Sequence, residues 1–245
     1  MPAPAAKWTG TKQLGVSGQA TWASGVAVDS SGNVYVAGTT FGGLDGNTLM
    51  GSTDFFVTKY DSSGNKVRTK QLGVSGPQST SASGVAVDSS GNVYVAGSTN
   101  GGLDGNTLTG TNDFFLTMYD SSGNKVRTKQ LGVSVSGAAA YAWGVAVDSS
   151  SNVYVAGYTT GGLDGNTLMG GTDFFVTKYD SSGNKVRTKQ LGVSGPQSTA
   201  AYSVAVDSSG NVYVAGDTTG GLDGNTLTGT TDFFVTKYDS SGNKQ

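Results

Sequence analysis

The stretch Val26 to Gly38 reads VAVDSSGNVYVAG. It returns unchanged from Val85 and Val204, and from Val145 with Ser151 in place of a glycine. The spacings are 59, 60 and 59 residues, and other motifs keep the same period. GGLDGNTL begins at Gly42, Gly101, Gly161 and Gly220; DFF at Asp54, Asp113, Asp173 and Asp232; YDSSGNK at Tyr60, Tyr119, Tyr179 and Tyr238. A fixed period of this length marks a repeat architecture, and the fold must be read from one unit. Within the unit, two apolar segments, Val26–Val28 and Val34–Gly38, flank the turn Asp29 to Asn33. FFVTKY from Phe55 and KVRTKQL from Lys66 flank a second copy of that turn. Asp at a turn start accepts backbone N–H bonds, and Gly supplies the positive φ of a tight hairpin. Val, Tyr, Phe and Thr fill the segments, and no stripe of period 3.6 reaches helical length. Each unit therefore reads as four short strands, A to D.

Short connections (A–B, C–D) alternate with long ones (B–C, D–A). Repeated four times, this pattern predicts meandering four-stranded sheets stacked as propeller blades, with strands covered on both faces. The fourth unit stops at Gln245, after the C–D turn, whereas Thr11–Gly15 (TKQLG) matches Thr69–Gly73. The expected fold is an all-β, closed four-bladed propeller in one domain over 1–245. Its repeats run approximately over 16–74, 75–133, 134–193 and 194–245, and a closing strand in 1–15 completes the last blade. An eight-bladed ring of two chains sharing strands is the alternative. A monomer is the first expectation and a dimer the second.

Composition narrows function. The chain has 245 residues, 40 of them Gly, with no His and no Cys; all 17 acidic residues are Asp. A net charge of −2 supplies no basic field for nucleic acid. Without Cys there is no disulfide, zinc-thiolate site or thiol nucleophile. There is no 18-residue apolar run to span a membrane, and Met1–Ala6 lacks the charged and apolar regions of a signal peptide. With no His, Cys or Glu, general-base and nucleophilic chemistry is poorly served, so no enzyme and no catalytic residue is expected.

VAVDSSGNVYVAG, LDGNT, DFFVTKYDSSGNK and TKQLG, recurring in one order from about Trp8, resemble the bacterial SBBP beta-propeller repeat family. The resemblance implies propeller architecture and a secreted or cell-surface bacterial setting, without a reaction. Members often carry Trp in strand D where this chain has Arg68, Arg127 and Arg187.

The four copies differ mainly in the D–A and B–C connections, which a four-stranded meander places on one end of the ring. Trp22, Phe41, Tyr141, Trp143, Tyr158 and Tyr202 fall there. Aromatic faces beside Asn, Asp and Thr would suit sugar stacking. The competing reading is drifting loops whose aromatics cap the blades. A second set, Asp45, Asp104, Asp164 and Asp223 of LDGNT with Asp54, Asp113, Asp173 and Asp232, holds hard oxygen ligands. Asp45, Asn47 and Asp54 could converge on Ca²⁺, against the simpler reading of turn formers. The expected function is a non-enzymatic binding or adhesion module for a glycan or protein. A purely structural repeat scaffold is the alternative. No cofactor other than possible calcium is expected.

Overall fold

The structure, a computed structural model, describes residues 8–245 and consists of four antiparallel sheets in chain order. The first contains β1 (Thr21–Val28), β2 (Val34–Thr40), β3 (Asp54–Tyr60) and β4 (Lys66–Leu72). The second contains β5 (Thr80–Val87), β6 (Val93–Thr99), β7 (Asp113–Tyr119) and β8 (Lys125–Leu131). The third contains β9 (Ala140–Val147), β10 (Val153–Thr159), β11 (Asp173–Tyr179) and β12 (Lys185–Leu191). The fourth has three strands, β13 (Thr199–Val206), β14 (Val212–Thr218) and β15 (Asp232–Tyr238). Each long B–C connection carries one turn of 3-10 helix, η1 to η4, at Leu44–Gly46, Leu103–Gly105, Leu163–Gly165 and Leu222–Gly224.

The turns hold as their residues dictate. Asp29 Oδ1 accepts the N–H groups of Ser31 and Asn33 at 3.0 and 2.9 Å, and Oδ2 accepts Asn33 Nδ2 and the Tyr35 hydroxyl at 2.8 and 3.0 Å. The Asp88–Tyr94, Asp148–Tyr154 and Asp207–Tyr213 pairs repeat the hydroxyl bond. In the third unit Ser151 takes the glycine's positive φ of 59° and donates to Asp88 Oδ2 of the neighbouring sheet at 3.0 Å.

Three apolar layers join the four sheets. Between the first and second sheets, Tyr35, Phe55 and Val57 meet Val93, Val95 and Phe115, and the same arrangement recurs twice more. Phe55–Phe115, Phe114–Phe175 and Phe174–Phe234 stack at ring separations of 4.9, 5.0 and 4.9 Å. Each buried Phe contributes about 1.5–3 kcal/mol by removal from water. The inner strands approach one another through glycine: a Cβ on Gly25 would lie 3.1 Å from the Val85 backbone nitrogen, and one on Gly144 equally close to that of Val204.

The two end sheets are open. Val26 and Val28 of β1 are 67% and 60% exposed, and Phe233 and Val235 of β15 are 86% and 63% exposed. Thr11–Gly15 is not paired with β15; residues 1–7 of the expected closing segment lie outside the described residues. Instead the segment lies along the first sheet, where Trp8 meets Tyr60 edge-on at 5.8 Å and Lys12 reaches Gly64. The described chain is thus an open arc of four propeller-like sheets.

Candidate functional site

Five of the six aromatics expected in loops lie on strands. Trp22, Tyr141, Trp143 and Tyr202 belong to the innermost strands β1, β9 and β13, and Tyr158 to β10; only Phe41 follows its strand, in the B–C connection. The inner strands start earlier than the apolar run suggests because each carries a β-bulge. Pairing skips a residue between Ala23 and Gly25, Ala82 and Gly84, Ala142 and Gly144, and Ala201 and Ser203. A bulge breaks the period of two and re-aims the extra side chain. The four bulged residues are Ser24, Ser83, Trp143 and Tyr202, so this position varies among otherwise similar sheets, as does the pair beside it, Trp22–Thr39, Ser81–Ser98, Tyr141–Tyr158 and Ala200–Asp217. The period shift of the surrounding Ala and Ser was the available signal for it.

The third and fourth sheets bring their aromatics together. Tyr141 and Tyr158, cross-strand partners, stack at 5.1 Å; Trp143 lies 6.4 Å from Tyr158 and meets Tyr202 edge-on at 5.2 Å. Trp143 and Tyr202 remain 45% and 44% exposed. The Tyr202 hydroxyl donates to Asp217 Oδ2 at 3.1 Å. Burial first, then the bond to Asp217, raises the Tyr202 phenol above its ordinary pKa. Asp217 adjoins this cluster, and the aromatic pattern alone does not single it out. Trp22 and Phe41 form a separate pair at 4.9 Å on the first sheet.

The acidic set does not assemble. Asp45, Asp104, Asp164 and Asp223 each ion-pair with a lysine, Lys66, Lys125, Lys185 and Lys244. Asn47 turns its amide nitrogen to the Leu44 and Thr69 carbonyls at 2.7 and 3.4 Å. Asp54 is fully buried, accepting Met50 N, Gly51 N and Gln71 Nε2 at 2.8, 3.0 and 2.9 Å. Asp113 and Asp173 repeat this, and Asp232 keeps the two backbone bonds. Asp45, Asn47 and Asp54 therefore do not converge as a calcium site requires, and among the described residues no cluster of three metal-ligating side chains occurs. The LDGNT segment instead folds along the outer strand. Leu44 N donates to Gln71 Oε1 at 2.8 Å, so the loop covers a sheet edge that would otherwise stay open. Arg68, Arg127 and Arg187 hold the next sheet, donating to the Ser121, Ser181 and Ser240 carbonyls at 2.7, 2.6 and 2.8 Å.

The family model described as SBBP, beta-propeller repeat, matches residues 10–45, 67–104, 126–164 and 186–223. The chain belongs to the SBBP beta-propeller repeat family. Each SBBP match runs from an outer-strand segment through the next sheet's inner strands to its LDG turn, so sequence unit and sheet are out of step by one strand. Regulatory protein FlaEY of Caulobacter vibrioides is 29% identical over 173 residues, 63% of this chain but 18% of that protein. The chain thus spans less than a fifth of that relative's length. Among solved structures, a protein of unknown function from Bacteroides caccae aligns at 9% identity over 94% of this chain and 81% of its own, with a TM-score of 0.42. The WD40 beta-propeller domain of Doa1 aligns at 11% identity over 83% and 93%, with a TM-score of 0.27.

Proposed function

We propose that the chain is a non-enzymatic binding module whose contact patch is Trp143, Tyr158 and Tyr202 with Asp217, and whose ligand is a glycan. The observation that carries this reading is the bulge position. Four nearly identical sheets present Ser, Ser, Trp and Tyr there, and the two aromatic copies sit side by side, half exposed, next to an oriented carboxylate. A sugar offers apolar faces for the rings and hydroxyls for Asp217. The absence of His, Cys and Glu, and the commitment of Asp54 and its equivalents to backbone donors, support binding over catalysis. The setting is a secreted or surface-exposed propeller whose ring closes through Thr11–Gly15.

A glycan array probed with the parent chain and with Trp143→Ala tests the reading. Binding to a glycan that is lost in the variant, with an upward thermal shift by that glycan in the parent only, is the expected result. An empty array with an unchanged melting midpoint, with calcium or EDTA present in separate arms, would leave a structural scaffold without a ligand.

A further inference from the structure

The fourth sheet ends in a groove of about 330 Å³ between β15 and the η4 loop, lined by Leu222, Asp223, Asp232, Phe233 and Val235 among others. In the other three sheets the outer strand occupies this place. There Gln71, Gln130 and Gln190 each bridge a buried Asp and a Leu backbone N–H, from Asp54 to Leu44, Asp113 to Leu103 and Asp173 to Leu163. Among the described residues no glutamine does this for Asp232 and Leu222.

The N-terminal segment has the matching parts. In the register of β3 with β4, Leu72 faces Phe55, Lys70 faces Val57 and Thr69 faces Thr58. TKQLG at Thr11–Gly15 would set Leu14 against Phe233, Lys12 against Val235 and Thr11 against Thr236, with Gln13 bridging Asp232 and Leu222. The glycine matters most. A Cβ on Gly73, Gly132 or Gly192 would lie 1.7 Å from the Oδ1 of its sheet's buried Asp, whereas Gly15 has nothing within 4 Å. Gly15 is the residue type Asp232 needs, held where no Asp approaches it.

The segment is already placed as the outer strand of a preceding sheet. A Cβ on Gly42 would lie 2.7 Å from Val16 Cγ1, as one on Gly101 would from that of Val74. Between this segment and the first sheet lies a cleft of about 520 Å³, floored by Val34, Val36, Phe56 and Thr58. The side chains that fill the equivalent space at the three internal junctions correspond to Tyr213, Ala215, Phe233 and Val235, the open face of the fourth sheet. Plug and socket stand at opposite ends of one arc.

We propose that, for this 245-residue chain, the occupant of the groove and cleft is a second copy. Thr11–Gly15 of each protomer completes the fourth sheet of its partner, and two head-to-tail junctions close a ring of eight sheets. The interface is the one the chain forms three times within itself. It is heterologous, so it closes as a ring or grows as a filament according to the rotation between sheets.

Native mass spectrometry of the full chain should give twice the chain mass, and Phe233→Lys should give the single-chain mass with unchanged circular dichroism, since Phe233 is 86% exposed in one protomer. Because the chain has no Cys, Lys12→Cys and Val235→Cys chains can be mixed with a short bifunctional thiol reagent. Cross-linked pairs should form only in the mixture. A single-chain mass at all concentrations, open polymers, or a cross-link confined to one chain carrying both substitutions would overturn the proposal; the last would mean closure within a single chain. None of these outcomes depends on glycan binding.

Discussion

The turn aspartates show how one residue type holds a repeated fold. Burial alone would raise Asp88, but bonds from Asn92, Ser151 and Tyr94 outweigh it and hold the carboxyl below its ordinary value. Asp29 and Asp148 follow the same logic. A carboxyl depressed in the folded state contributes stability that is complete above its unfolded pKa and lost as pH falls through the folded one. Acid titration followed by circular dichroism should therefore show stability falling below about pH 4, and Asp88→Asn should flatten that slope. The tyrosines act at the other extreme. Burial, then the bond to Asp29, pushes Tyr35 up to about 12, and burial does the same for Tyr238. A phenol raised on folding contributes stability that is complete below its unfolded pKa near 10 and lost toward pH 12. Ultraviolet titration should show these phenols ionising late, together with unfolding. The turn chemistry was legible in DSSGN from the outset. The Ser151 bridge to the neighbouring sheet was not, because it needs Asp88 and Ser151, 63 residues apart in two different turns, to meet.

At the scale of the element, the outer strand is where local sequence and tertiary role separate. KVRTKQL reads as a solvent-facing edge, yet its glutamine reaches inward to a buried carboxylate and its arginine reaches across to the next sheet. Gln130→Ala should cost about 1–3 kcal/mol, because Asp113 and the Leu103 N–H lose a partner while staying buried; chemical denaturation measures it. Crowding sets a second constraint. A Cβ on Gly97 would lie 1.9 Å from the Ser81 carbonyl oxygen, so Gly97→Ala must displace β5 and should destabilise by roughly 2 kcal/mol or more. Strands β2 and β3 could be recognised from apolar β-branched runs, as could β4 from its place after the turn. The first half of each inner strand could not. Its Ala, Ser and Gly have low strand propensity, and the bulge shifts the alternation on which recognition depends, so the aromatics there read as loop residues in the sequence. The acidic residues misled for a related reason: composition showed ligand-type oxygens but not the lysines and backbone donors that occupy them.

For the whole molecule, the period gave the number of sheets and their four-strand meander, since four copies of one unit must bury the same faces. It did not give closure, which depends on the rotation between neighbouring sheets and therefore on the packing of Phe114 against Phe175 and its equivalents. The segments of β4, β8 and β12 are identical, and Thr11–Gly15 shares their TKQLG. Any of these strands consequently fits any groove, and local energy does not tell the right pairing from one displaced by a unit. Only the length of the D–A connection does so within a chain, and between chains nothing does. Refolding is then a competition between a fast local search and concentration-dependent exchange. Recovery from denaturant should fall as protein concentration rises, with mispaired species that retain native secondary structure, which light scattering and circular dichroism on the same samples would resolve.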